Sequence, residues 1–271
     1  MMTRAAWIGV ALGLALLIAV WWFLYGRQQV EESAEQIQAA EKELAETPDP
    51  AVEGPAIAHP LPDAPAGSPA LPEIENSDEA ALASLGELFG PKPVESFLVP
   101  KEIIRRFVLT VDSLDREAPL PLWLRPVRRV PGAFAVERTG DGLSIGGENE
   151  RRYAGLMAMI ESVEMARLTA VYQRYYPLCQ DAYDRLGNPR KRYFNDRLIE
   201  IIDHLLETPL VEEPVSLVQP KVVYRFADEE LESLSSGQKV LLRIGRANAA
   251  RVQARLREFR TAIATRNLPT P

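Results

Sequence analysis

The sequence predicts a mainly α-helical domain with a small β-hairpin and one further short strand, preceded by a single transmembrane helix and a proline-rich linker. Three features carry that expectation. Ala5 to Tyr25 holds no charge and no proline. Eight prolines crowd residues 48–72. Beyond residue 76, apolar residues recur at helical spacing, interrupted once by a turn of hairpin type. The resulting division is an anchor at 1–27, a juxtamembrane helix and acidic linker at 28–75, a helical domain at 76–266 and a disordered tail at 267–271.

The anchor follows from length. A helix over Ala5–Tyr25 spans ~31 Å, the thickness of a hydrocarbon core of ~30 Å. Trp7 lies near one end and Trp21, Trp22 and Tyr25 near the other, at interfacial depths. The run ends in bulky aromatics rather than the small residues a signal peptidase needs, so the helix is read as uncleaved. Arg4 and the amino terminus oppose Arg27 alone, which orients the short N-terminus inward. The C-terminal domain is therefore expected outside the cytoplasm, tethered to the membrane.

The formal net charge of -7 is unevenly placed. Residues 31–75 hold eleven acids and only Lys42, whereas residues 76–271 are nearly balanced. A charged, proline-rich linker extends itself and provides reach. The near-neutral domain gives no ground for expecting bulk nucleic-acid binding. Residues 28–46 read as a helix, with Val30, Ile37 and Leu44 at heptad spacing. His59 is expected to be solvated within the spacer.

Within the domain, a first helix starts after Asn76 or Ser77, with Asn76 and Glu79 as a capping pair, and stops at Gly90-Pro91. A second begins near Pro100 and runs to Leu114. Pro119, Pro121, Pro126 and Pro131 make residues 116–131 an extended connector. Phe134 and Val136, then Leu143 and Ile145, flank Thr139-Gly140-Asp141-Gly142 as a hairpin. Helices follow at about 150–162, 164–186, 190–207, 228–235 and 238–265, with a strand at 222–226. On the helix at 195–207, Asp196, Arg197, Glu200, Asp203, His204 and Glu207 share an arc of about 120°. Leucines and isoleucines fill the opposite side, which marks that side as core-facing.

Several runs carry a resemblance. They are Phe107-Val108-Leu109-Thr110-Val111-Asp112-Ser113-Leu114, Arg125-Pro126-Val127 with Val130-Pro131-Gly132, and Tyr193 through Leu206. Lys221-Val222-Val223-Tyr224 and Ser236-Gly237-Gln238-Lys239, leading to Arg243-Ile244-Gly245, complete the set. In this order, over roughly 85–265, the chain resembles an uncharacterised bacterial family, a domain of unknown function typically carried behind an N-terminal membrane anchor. The resemblance implies an envelope location and supplies no activity or catalytic residue. Arg246 stands where relatives often have proline, which leaves open how sharply the chain turns before its last helix.

The chemistry is sparse. Gly142-Leu143-Ser144-Ile145-Gly146 matches a hydrolase pattern literally, but Ser144 alternates with apolar residues in a hairpin strand and not on an elbow above a parallel sheet. Asp196, Glu200, Asp203 and His204, with Asp181 and Asp184, offer either a carboxylate site or a salt-bridged surface. No phosphate loop and no zinc-spaced Cys/His set occurs, so no cofactor or metal is expected. Cys179 reads as a small buried hydrophobe.

Five of eight tyrosines fall between 172 and 193, lining a groove or packing in a core with their hydroxyls satisfied. The last helix has an apolar stripe of Val252, Leu256, Phe259 and Ile263, flanked by five arginines. It either docks on the domain, pairing with Asp228, Glu229, Glu230 and Glu232, or meets an acidic partner or lipid. The reading favours binding over catalysis. The candidate surface is Tyr172, Tyr175, Tyr176, Tyr193, Asp196, Arg197, Glu200, Asp203 and His204, facing an envelope protein or the cell wall. The alternatives are a carboxylate-dependent extracytoplasmic enzyme and a nucleic-acid or lipid binder using the last helix.

Overall fold

Amphipathic helices need a shared core, and here several of them pack together to form it. The structure is a computed structural model that describes residues 56–62, 70–140, 142–187 and 192–264. The expected anchor at 5–25, the helix at 28–46 and the tail at 267–271 lie outside these residues. Among the described residues no helix is long and apolar enough to cross a membrane. All of them fall in one compact unit, Pro48–Pro271.

The chain is mainly helical with a small antiparallel sheet. Its longer helices are α1 (Asp78–Phe89), α2 (Pro91–Phe97), α3 (Ile103–Ser113), α5 (Ala154–Glu161), α6 (Met165–Arg185), α7 (Phe194–Leu206), α9 (Ser236–Arg243) and α10 (Arg246–Ile263). Short helices α4 (Glu148–Arg152) and α8 (Glu229–Ser233) stand between them. The strands are β1 (Val136–Thr139), β2 (Gly142–Ile145), β3 (Ser216–Val218) and β4 (Arg225–Phe226), paired antiparallel in the order β1-β2-β3-β4.

Helix α7 lies in that core. It buries Phe194, Asn195, Leu198, Ile199, Ile201, Ile202 and Leu205, and packs on α3, α6 and α10. Fully burying each of the six apolar side chains in this set stabilises the fold by about 1.5–3 kcal/mol. Gln253, 2% exposed, donates to the Thr208 carbonyl at 2.9 Å and closes the C-terminal end of α7.

The hairpin is as expected, with Val136 opposite Ile145 and Thr139 opposite Gly142. Ser144 pairs with Glu137 within it and with Ser216 of β3 on its other side, so the literal hydrolase pattern sits in a strand. The sheet is larger than one hairpin and one strand. β3 was not foreseen, because Ser216–Val218 is too short to show alternation, and β4 covers only the end of the expected 222–226 strand. Val215, Leu217, Phe226 and Leu242 form a second small core beneath the sheet.

Several helix boundaries differ for identifiable reasons. Pro91 both ends α1 and occupies the first turn of α2, a helix not anticipated. The second expected helix starts at Ile103 and not near Pro100. The Asp78 carboxylate caps it, accepting from the amides of Glu102 (2.7 Å) and Ile103 (2.9 Å). Asn76 and Glu79 form no capping pair: Ser77 is the N-cap of α1, without a side-chain cap bond.

The helix expected at 150–162 breaks at Tyr153, and the one expected at 238–265 breaks at Gly245. There φ is +90°, and an added Cβ would stand 2.3 Å from Glu150 Cγ. The connector at 116–131 includes a 3-10 turn at Leu122–Leu124 and a bridge from Val127 to Leu98. Arginine side chains satisfy two of its carbonyls, Arg125 on Leu120 (2.8 Å) and Arg106 on Trp123, and its Arg128 donates outward to the Leu98 carbonyl (2.8 Å).

Candidate functional site

At the start of α7, side chains from three helices meet a stretch of the linker. Gln180 of α6 caps the helix: its Oε1 accepts from the Phe194 amide (2.8 Å) and from the Tyr176 hydroxyl (2.7 Å). Tyr176 and Tyr193 lie with ring centroids 5.1 Å apart, and Tyr172 meets Tyr176 edge-on at 5.9 Å and Phe259 of α10 at 5.6 Å. Burial pushes the Tyr172 and Tyr176 hydroxyls well above the ordinary tyrosine range, and the neighbouring Tyr193 adds to the shift.

Asn195 is fully buried beneath this cluster. Its Oδ1 accepts from the Tyr172 hydroxyl (3.1 Å), and its Nδ2 donates to the carbonyls of Ile263 (3.2 Å) and His59 (2.8 Å). One amide therefore joins α6, α7, the end of α10 and the linker. Beside it, Asp196 in the first turn accepts from the amides of Ala58 (2.9 Å) and His59 (2.8 Å), one on each carboxylate oxygen. The Tyr193 hydroxyl accepts from the Leu61 amide at 3.1 Å. Four main-chain hydrogen bonds thus hold residues 58–61 against the domain.

This differs from the expected free spacer. His59 is half-buried and not solvated, and its Nδ1 is enclosed without a hydrogen-bond partner among the described residues.

The remaining candidate residues do not join this cradle. Tyr175 is buried, with its hydroxyl 2.9 Å from Ser84 Oγ. Arg197 turns to α3, bridging Asp112 (3.0 Å) and Asp115 (2.8 Å). Burial works against its charge, but the two carboxylates prevail and raise its pKa. Glu200 pairs with Arg192 and lies 3.5 Å from Arg197. Asp203 takes Arg260 at 2.8 Å, and His204 Nε2 lies 2.8 Å from the Oγ of Ser235, the N-cap of α9. The carboxylates sit on one face, as the periodicity requires, yet each is engaged by a different cation or amide. Among the described residues no three His, Cys, Asp or Glu side chains are grouped to hold a metal ion.

The last helix docks, but with other partners than the acids at 228–232. Arg251 pairs with Glu161, Arg260 with Asp203, and Arg255 donates to the Val163 carbonyl. Asp228 instead caps α8, and Glu232 pairs with Arg225 and Lys239. Cys179 is 2% exposed, and burial pushes its thiol up to about 12.

Asn195 and Gln180 were not among the anticipated residues. Asn195 left a trace in the sequence: it lies three, four and seven residues before Leu198, Ile199 and Ile202, a polar residue on the apolar side of the wheel. Comparison with curated proteins and with solved structures finds no match. A family model matches residues 103–260, a span that takes in Tyr172, Gln180, Tyr193, Asn195 and Asp196 but not the docked segment. The chain belongs to that family, DUF3014, described as a protein of unknown function.

Proposed function

We propose that the chain is a non-enzymatic module that binds extended polypeptide, anchored by Ala5–Tyr25 in a bacterial inner membrane with its domain in the periplasm. The observation that carries the binding reading is the cradle of Tyr193, Asn195 and Asp196, which grips residues 58–61 through main-chain amides and a carbonyl. Groups that recognise main chain suit a protein partner, because they need only an extended backbone of matching spacing. The location rests on the length and flanks of the apolar run and on the linker's composition.

The test is in-cell cross-linking of the full anchored chain, with mass spectrometry of the linked peptides and Asp196→Ala as the control. A reproducible adduct to an envelope protein, lost in the control while the melting temperature holds, supports the reading. Adducts identical in both would overturn it. A C-terminal reporter that is active only outside the cytoplasm tests the orientation separately.

A further inference from the structure

We infer that the cradle carries residues 58–61 as a resident ligand in cis, and that a proline-containing extended segment of a partner protein exchanges with it. This inference rests on the polypeptide-binding reading above.

The register defines the ligand. The amides of Ala58 and His59 enter Asp196, the His59 carbonyl takes Asn195, and the Leu61 amide enters Tyr193. Pro60 falls at the one position from which the cradle takes no main-chain donor, and proline has none to give. The pattern is therefore two residues with free amides, a proline, and a further residue that is not proline. Each residue before a proline is pushed toward extended backbone. Both His59 and Leu61 precede one, so the segment is shaped for the cradle before it docks and loses little freedom on docking.

Backbone alone does not select this stretch. Glu53-Gly54-Pro55-Ala56, Asp63-Ala64-Pro65-Ala66, Gly67-Ser68-Pro69-Ala70 and Ala70-Leu71-Pro72-Glu73 carry the same pattern. The side chains discriminate: His59 and Leu61 are half-buried, whereas Ala58 and Pro60 are exposed. A short segment held mainly through its main chain, with two side chains only half-buried, sits at the low-stability end of a fold and opens readily. The same shallow seat gives a partner access. A competing segment needs the same amide spacing, with a ring and a branched aliphatic side chain at the two discriminating positions.

The experiment uses the full chain in nanodiscs and a fluorescent peptide of residues 57–63 as probe. Leu61→Pro in the chain removes the amide that donates to Tyr193 and the half-buried leucine side chain, and changes no residue of the domain, so it shifts the segment toward its open form. A segment that closes the site about nine-tenths of the time weakens apparent affinity about tenfold. The Leu61→Pro chain is therefore expected to bind the probe about tenfold more tightly than the unmodified chain. Adding Asp196→Ala or the volume-preserving Tyr193→Phe is expected to weaken binding again, with unchanged thermal melting for at least one of them. Equal affinity for both chains would overturn the cis occupant while leaving a peptide site standing. No saturable binding to the folded Leu61→Pro chain would overturn the peptide site as well. A dimer in light scattering that Leu61→Pro converts to monomer would place the segment in a second copy and overturn the cis arrangement.

Discussion

Asn195→Ala is the substitution that most directly tests how the cradle is built. The side chain is fully buried and makes three hydrogen bonds, to the Tyr172 hydroxyl and to the carbonyls of Ile263 and His59. His59 lies in the exchangeable segment, and its carbonyl can turn to water. Tyr172 is 8% exposed and Ile263 1% exposed, so their polar groups lose a partner where water does not readily follow. Each such orphan costs about 1–3 kcal/mol. Two of them together cost about 3 kcal/mol, a fall in melting temperature of roughly 6–12 °C for a domain of this size. The assay is urea unfolding of Asn195→Ala, Tyr172→Phe and the double variant. Tyr172→Phe removes the hydroxyl that Asn195 would otherwise orphan, so the double variant is expected to lose at least about 0.5 kcal/mol less than the sum of the singles. A single-variant cost under about 1 kcal/mol, or strict additivity, would refute the account of Asn195 as the joint between helices.

Three further outcomes follow from packing and charge. Gly237→Ala places a Cβ 2.8 Å from the Leu114 carbonyl oxygen, itself bonded to the Gly237 amide, and should cost about 2 kcal/mol or more. Gly86→Ala meets nothing within 4 Å and should stabilise α1 by up to about 1 kcal/mol; chemical denaturation of the pair reads both signs. Arg197→Met removes one of the two cations on Asp112, Arg116 remaining at 2.8 Å, and should cost about 1.5–3 kcal/mol, with partial recovery when Asp112→Leu is added, again by denaturation. Burial opposes ionisation of Glu232, but the Phe226 amide, Arg225 and Lys239 outweigh it and hold the carboxyl below the ordinary 4.5. A lowered carboxyl stabilises fully above pH 4.5 and loses that contribution as pH falls through its folded value. Urea midpoints from pH 6 to 3 should therefore fall less steeply in Glu232→Gln than in the unmodified chain.

The long helices were legible because their signal is local. The six-residue apolar set of α7 and the turn at Thr139–Gly142 each declare an element within a dozen residues. Boundaries set by distant partners were not. Nothing near Ile103 indicates that Asp78 caps its helix, and nothing near Gly245 indicates that Glu150 fills the space a side chain would need. The same division runs through the site. Tyr172, Tyr176, Tyr193 and Asp196 stood out by type and density, and they do converge. Tyr175, Arg197, Glu200, Asp203 and His204 shared that neighbourhood in sequence but turn to separate partners, because a helix displays its polar residues over an arc wide enough to reach several neighbours.

What the sequence by itself determined is therefore a set of amphipathic helices, a hairpin, an uncharged N-terminal run of membrane-spanning length and a linker rich in proline and acid. Each of these depends on residues within one or two turns of each other. Only the tertiary structure decided that part of the linker is a bound peptide. That contact needs Ala58–Leu61 to meet Tyr193–Asp196 across more than 130 residues of chain, and main-chain hydrogen bonds leave little trace in side-chain composition. A proline-rich stretch reads as spacer because its amides have no local partner; here three of those amides find theirs at the start of α7.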